Sequence, residues 1–167
     1  RGRTTALFDA SLVNASATVE TPFSTWGSGL LSLRSTYSDY VARYLTSGDQ
    51  RNPSYYDLHA IVGGDIDEQH HLKAQVLHAS DKTSGLVDGN YHTTLVSIQS
   101  THTISDKSSL VTGLSSYNQG EDLTRHVSNS LMTKYSDITL WEAKLQFESR
   151  ISSAYSLTLG AGTQHYT

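Results

Sequence analysis

The chain has 167 residues, of which 37% are hydrophobic, with a net charge of -4 and no cysteine. These values fit one domain or part of a larger one. They exclude a helical membrane protein, because no run approaches the roughly 18 apolar residues that a spanning helix needs. An acidic balance without a Lys/Arg cluster also argues against a nucleic-acid partner.

In chain order, alternation of apolar and polar residues predicts eight strands. They lie near residues 7–19, 28–37, 55–63, 71–80, 90–103, 108–118, 135–149 and 154–166. The period is two, because successive side chains of a strand point to opposite faces. The sequence therefore predicts an all-β, antiparallel, up-and-down transmembrane β-barrel. We expect residues 1–167 to be a single segment of a larger barrel, without a plug domain.

The predicted connections fall into two length classes. The short ones are 20–27, 64–70, 104–107 and 150–153, and the long polar ones are 38–54, 81–89 and 119–134. Both prolines, Pro22 and Pro53, are predicted between strands, where a missing N–H costs no ladder bond. Membrane barrels place short turns in the periplasm and long loops outside, so the first predicted strand should run from outside to periplasm.

Tyrosine is over-represented, with ten against three phenylalanines. Its apolar ring and polar tip suit a membrane–water boundary. Five tyrosines fall at the strand ends that the loop lengths assign to the outside, and they predict an aromatic girdle: Tyr37, Tyr56, Tyr91, Tyr117 and Tyr135. Three of them, Tyr37, Tyr56 and Tyr135, share parity with apolar residues and should therefore point toward lipid.

The opposite parity collects polar residues that should face a lumen. These are Arg34, Asp57, His59, Lys73, Gln75, Glu142, Lys144, Gln146 and Glu148. They could line a transport path or hold a plug through ion pairs. They could equally solvate a wet interior, or pair across strands without recognising a ligand.

Several stretches, in order over residues 7–118, resemble the early barrel strands of TonB-dependent outer membrane receptors. They are Leu30–Tyr40 after Thr21–Pro22, Tyr55–Ala60, His71–Asp81, Asn90–Thr94 and Thr103–Leu110. The resemblance implies a protein of the cell outer membrane that takes up a substrate. Its partners would be membrane lipid, further barrel strands, a plug and a periplasmic energy-coupling protein. The chain departs from the family in two places: it has Thr21-Pro22 at the first turn, where the family often has Gly-Pro, and Arg34-Ser35 where the family often has two arginines.

Metal, cofactor and enzyme chemistry are not predicted. His70 and His71 adjoin acidic residues, but neighbouring side chains on a strand diverge, and the remaining six histidines lie far apart in sequence without ligand spacing. Residues 81–89 lack the acidic spacing of a calcium loop and are expected to form a mobile polar loop. No nucleophile–base–orienter set can be selected among the many serines and histidines.

Two other classes of protein stay open at this point. One is a small closed eight-stranded barrel with a structural or adhesive role, and the other, less favoured, is a soluble lipocalin-like binder. An open sheet in lipid leaves the edge N–H and C=O groups unpaired. Either the first strand pairs with the last, so that residues 8–18 bond to 155–165, or other polypeptide supplies the neighbours, which we expect.

Overall fold

A computed structural model describes residues 2–37, 54–83, 87–127 and 130–167, apart from the side chains of 126, 127 and 130. Nine strands are present: β1 (Thr5–Ala10), β2 (Asn14–Pro22), β3 (Gly27–Thr36), β4 (Ser54–Asp65), β5 (His70–Thr83), β6 (Val87–Ser105), β7 (Ser108–Val127), β8 (Ser130–Arg150) and β9 (Ser156–Tyr166). They form one antiparallel sheet in sequence order. The predicted all-β, antiparallel, up-and-down class is confirmed. Within these ranges no helix is long and apolar enough to cross a membrane.

The predicted number of eight strands is wrong, because the first predicted strand is two strands. A turn at 11–13 separates β1 from β2. Ser11 Oγ closes this turn by accepting the N–H groups of Val13 and Asn14 at 3.3 and 3.1 Å. The turn contains apolar Leu12 and Val13, so the alternation gave no sign of it. The prediction that the first strand runs from outside to periplasm is therefore a prediction about β2.

Two of the three predicted long loops are also wrong, since strand pairing continues through most of them. In 81–89, residues 81–83 belong to β5 and residues 87–89 to β6, and Thr83 pairs with Gly89, so strand structure extends into the predicted loop from both sides. In 119–134, β7 and β8 stay paired up to Val127 and Ser130. Backbone hydrogen bonds continue here after the apolar alternation has ended, and the sequence pattern detects only the alternation.

The sheet has two distinguishable ends, named here by their connections. The upper end carries the turn at 11–13 and the strand ends Thr36, Ser54, Thr83, Val87, Val127 and Ser130, and the lower end carries the turns 23–26, 66–69, 106–107 and 151–155. Of the predicted long loop at 38–54, residues 38–53, including Pro53, lie outside the described ranges, and Ser54 begins β4. Pro22 is the last residue of β2 and not part of a connection, contrary to the prediction.

The sheet is a single layer without an apolar core. Among the described residues no hydrophobic side chain is buried, and Ser80 is the only buried polar one. β1 and β9 each pair with one neighbour only, so the ladder between 8–18 and 155–165 that closure requires is not part of the described sheet. An antiparallel sheet normally buries one face. Here the described residues leave both faces of the sheet uncovered.

Candidate functional site

The register assigns every strand residue to one of two faces, because directly paired residues share a face. One row runs from Ala60 through Val76, Val96 and Ser116 to Trp141. We call this side the apolar face, and the side that carries Glu142 and Lys144 the charged face. In the seventh predicted strand, residues 135–149, which lie within β8, apolar and charged side chains alternate. The register shows that this division into two faces continues across the whole sheet.

The apolar face is strongly exposed. Leu114, Trp141 and Val96 are 60%, 55% and 47% exposed. Between the large side chains, small ones such as Ala74 and Ala143 leave a depression of about 780 Å³. A folded chain in water gains stability by removing such surface from solvent, so exposure of this face to water is unfavourable.

Charged residues of the strands are divided unequally between the faces. The apolar face carries only Lys82, Asp88, Asp122 and Asp137, all in the upper half of their strands. The charged face carries Asp9, Glu20, Arg34, Asp57, Asp65, Lys73, Asp81, Glu121, Arg125, Lys134, Glu142, Lys144, Glu148 and Arg150. The lower half of the apolar face is thus free of Asp, Glu, Lys and Arg.

All nine residues predicted to face a lumen lie on the charged face. Arg34 pairs directly with Asp57, with Nη2 2.6 Å and Nε 2.8 Å from Oδ2. The guanidinium also lies 5.1 Å from the centre of the Tyr55 ring, a cation–π distance. That this face lines a lumen stays a prediction.

Glu142 and Lys144 adjoin an open depression on the charged face. Its volume is about 280 Å³, and its polar lining also includes Gln75, Gln99 and Ser115. Ser115 donates a long hydrogen bond of 3.5 Å to Glu142 Oε2. A carboxylate, an ammonium group, amides and a hydroxyl can hydrogen-bond a polar ligand, but they do not form a nucleophile–base set.

The five predicted girdle tyrosines do not share one face. Tyr56 and Tyr135 lie on the apolar face, and Tyr37 follows β3 with the parity of its apolar residues. Tyr91 and Tyr117 lie on the charged face, where Tyr117 donates a 2.8 Å hydrogen bond to Gln119. Three of the five tyrosines thus have the parity of the apolar residues, as the sequence indicated, and the aromatic girdle itself stays a prediction.

A second set of large apolar side chains, not predicted from the sequence, lies at the lower end. Its exposed members are Phe23, Trp26, Ile66, Ile104, Ile151 and Tyr155. Phe23 and Trp26 contact each other edge to face, with ring centres 5.2 Å apart. The sequence did contain a signal for this set, namely large apolar residues within predicted turns. Such residues are not expected in turns that are surrounded by water.

Histidines and aspartates organise the lower turn at 66–69. Asp67 Oδ1 accepts the N–H groups of Gln69 and His70 and lies 2.8 Å from His70 Nδ1. The Gln69 N–H bond, followed by the His70 side chain, lowers the pKa of Asp67 below its ordinary value. His71 lies on the charged face, because neighbouring side chains of a strand point to opposite faces. Its Nδ1 lies 2.8 Å from Asp65 Oδ1.

One histidine pairing was not foreseen. His70 stacks on His102, with ring centres 4.4 Å apart, although the sequence showed no ligand spacing between them. Strand pairing brings these residues together, which linear spacing cannot show. No group of three or more His, Cys, Asp or Glu residues is placed to hold a metal ion in the described part of the chain.

Comparison with known proteins identifies no matching family model and no matching curated protein. The geometry of the two faces therefore carries the functional argument.

Proposed function

We propose that this chain is a membrane-spanning part of an outer membrane barrel of the TonB-dependent receptor type, which takes up a substrate across that membrane. The observation that carries this proposal is the exposed apolar face opposite a face that holds most of the strand charges. A soluble sheet covers its apolar face and exposes its charges. A membrane barrel reverses this arrangement.

The height of the apolar face supports a membrane placement. Tyr56 of β4 and Ile66 in the following turn are ten residues apart, as are Trp141 of β8 and Ile151 in its following turn. Ten residues span about 33 Å along a strand. At a tilt of about 40° this becomes about 25 Å, the height of the apolar band of an outer membrane barrel. The two spans are equal in length but offset along the sheet, because the register aligns Trp141 with Ala60 and not with Tyr56.

The unpaired edges support further strands as partners. In hydrocarbon, each free N–H or C=O of β1 and β9 would cost several kcal/mol. Neighbouring strands that complete a barrel would remove this cost, and a plug and a periplasmic energy-coupling protein would then complete the receptor. The charged face would line the interior and provide the polar wall that a plug or a substrate requires.

Within the resemblance to receptors, two motif residues contact each other. Arg34, in the stretch Leu30–Tyr40, binds Asp57, in the stretch Tyr55–Ala60, across the β3–β4 register. The two stretches are therefore neighbours in the sheet, as successive barrel strands would be. The open order of nine strands weighs against a small closed barrel formed by this chain alone. The exposed apolar face weighs against a lipocalin-like binder in water.

Quenching by brominated lipid tests the membrane placement. Every tryptophan of the whole protein, Trp26 and Trp141 included, is replaced by Phe, and single reporters are introduced as Ala143→Trp and Lys144→Trp. Because these neighbours lie on opposite faces, we expect strong quenching at 143 and weak quenching at 144. Lys107→Trp, in a lower turn, is the control outside the hydrocarbon. Equal quenching at 143 and 144 would contradict the proposal.

A further inference from the structure

Two histidines from neighbouring strands meet near the lower end of the apolar face. His70 lies directly opposite His102 in the β5–β6 register. Thr103 N–H bonds to Gln69 O at 2.7 Å, so 69 and 103 form the hydrogen-bonded pair. His70 and His102 therefore form a non-hydrogen-bonded pair, in which opposite side chains lie closest. Their rings stack at 4.4 Å and 26°.

Asp67 orients the first of these rings. Its two carboxylate oxygens lie 2.8 and 2.9 Å from His70 Nδ1. The carboxylate is held in place by the backbone N–H groups of Gln69 and His70. Because it accepts a hydrogen bond from Nδ1–H, the lone pair of the neutral ring is placed on Nε2. Metal-binding histidines are commonly prepared by such a carboxylate.

His102 supplies an independent observation. Its Nδ1 is buried and has no hydrogen-bond partner, a condition that only Asn90 Oδ1 shares among the described side chains. Buried polar atoms are normally satisfied, and an exception calls for a ligand or another explanation. The unpartnered nitrogen belongs to the ring that stacks on His70.

We propose that His70 and His102 bind a divalent late transition-metal ion, namely Cu²⁺, Ni²⁺ or Zn²⁺, through one imidazole nitrogen each. Imidazole is a preferred ligand of these ions. The rings are stacked rather than converging on a point, so binding requires rotation about the terminal torsion of histidine, which is broad. Water completes the coordination, since the described residues supply no third ligand. Asp67 acts as a positioning residue through His70.

His71 provides a matched control within the same hairpin. Like His70, it has its Nδ1 2.8 Å from an aspartate, Asp65. It differs in lying on the charged face, where its cross-strand partner is Thr101. His70 and His71 thus each have a carboxylate partner, but only His70 has a second histidine, His102, opposite it in the sheet.

The test is titration of the full-length protein, folded in detergent micelles, with Cu²⁺ followed by electron paramagnetic resonance and with Ni²⁺ followed by calorimetry. We expect a Cu²⁺ signal with two nitrogen ligands. His70→Gln and His102→Gln should each weaken binding by at least about tenfold, and Asp67→Asn by about 10- to 100-fold. His71→Gln should leave the affinity unchanged.

Circular dichroism of every variant checks that the strands are retained, and His102→Phe, which keeps a ring over His70, replaces His102→Gln if that variant unfolds. Binding that survives loss of either histidine, or that falls equally in His71→Gln, would overturn the proposal. Since the titration measures metal affinity in micelles, its result is independent of the membrane orientation measured by lipid quenching.

Discussion

Arg34 and Asp57 illustrate what a single cross-strand pair contributes in this sheet. Their ion pair is short, but the Arg34 side chain is 53% exposed. Exposed pairs of this kind contribute about 0–1 kcal/mol. Their larger effect is on register, because a slip of one residue would place Arg34 opposite Leu58 and move every side chain of β4 to the other face.

At Asp67 we predict a stability that depends on pH. Its pKa is lowered chiefly by the Gln69 N–H bond and next by the His70 side chain. A depressed pKa in the folded state stabilises the fold above the ordinary carboxyl value of about 3.9 and ceases to do so as pH falls through the folded value. Asp67→Asn should therefore lower the Tm at neutral pH, and the difference should shrink in acid.

A series of thermal unfolding curves between neutral and acidic pH measures this effect. Asp106→Asn in the next lower turn is the control, since there Ser105 Oγ, and not the aspartate, accepts the N–H of Lys107. A Tm difference for Asp67→Asn that persists unchanged in acid would contradict the role of the ionised carboxylate.

At the scale of elements, the hairpin of β7 and β8 is much longer than a membrane requires. The strands contain 20 and 21 residues, which corresponds to about 66 Å along the strand. A spanning strand needs only about 9–11 residues. If the band from Trp141 to Ile151 lies in lipid, the upper part of the hairpin projects beyond it as a rigid ladder.

The contact between β4 and the β2–β3 turn depends on a glycine. A Cβ at Gly64 would meet the backbone oxygen of Trp26 and lie 2.7 Å from Gly27 Cα. Neither atom can move without shifting the turn. We expect Gly64→Ala to lower the free energy of unfolding by about 1–3 kcal/mol.

Gly113→Ala in β7 is the matched control, because its Cβ would lie 3.8 Å from the nearest atom, Ile98 O. It should be neutral or stabilise the strand by up to about 1 kcal/mol, since alanine restricts the unfolded chain more than glycine does. Urea unfolding compares the two variants. Equal losses of stability would show that close approach at Gly64 is not the cause.

For the whole molecule, transport should depend on partners outside the described sheet. We expect cells that make the protein to accumulate at least one small molecule that cells without it do not. That accumulation should also disappear when the periplasmic energy-coupling protein is deleted. Mass spectrometry of cell contents in defined medium measures both effects. A structural barrel would leave the contents unchanged, which would contradict the receptor proposal.

Which side chains share a face can be read from the amino-acid sequence alone. A period of two is a local property of an extended chain, and it assigned the nine residues of the predicted lumen set to one face, opposite Trp141 and Leu145, as the register does. The sequence also determined the antiparallel, up-and-down class, because hairpin connections join neighbouring strands.

Which residues lie opposite one another is apparent only in the folded sheet. The pairs Arg34–Asp57 and His70–His102, the turn at 11–13 and the extension of β7 and β8 all follow from backbone hydrogen bonds between segments that no linear pattern aligns. Side-chain alternation records the face of each residue, but the register is fixed by pairing across strands. For that reason the two faces could be predicted, whereas the stacked histidine pair could not.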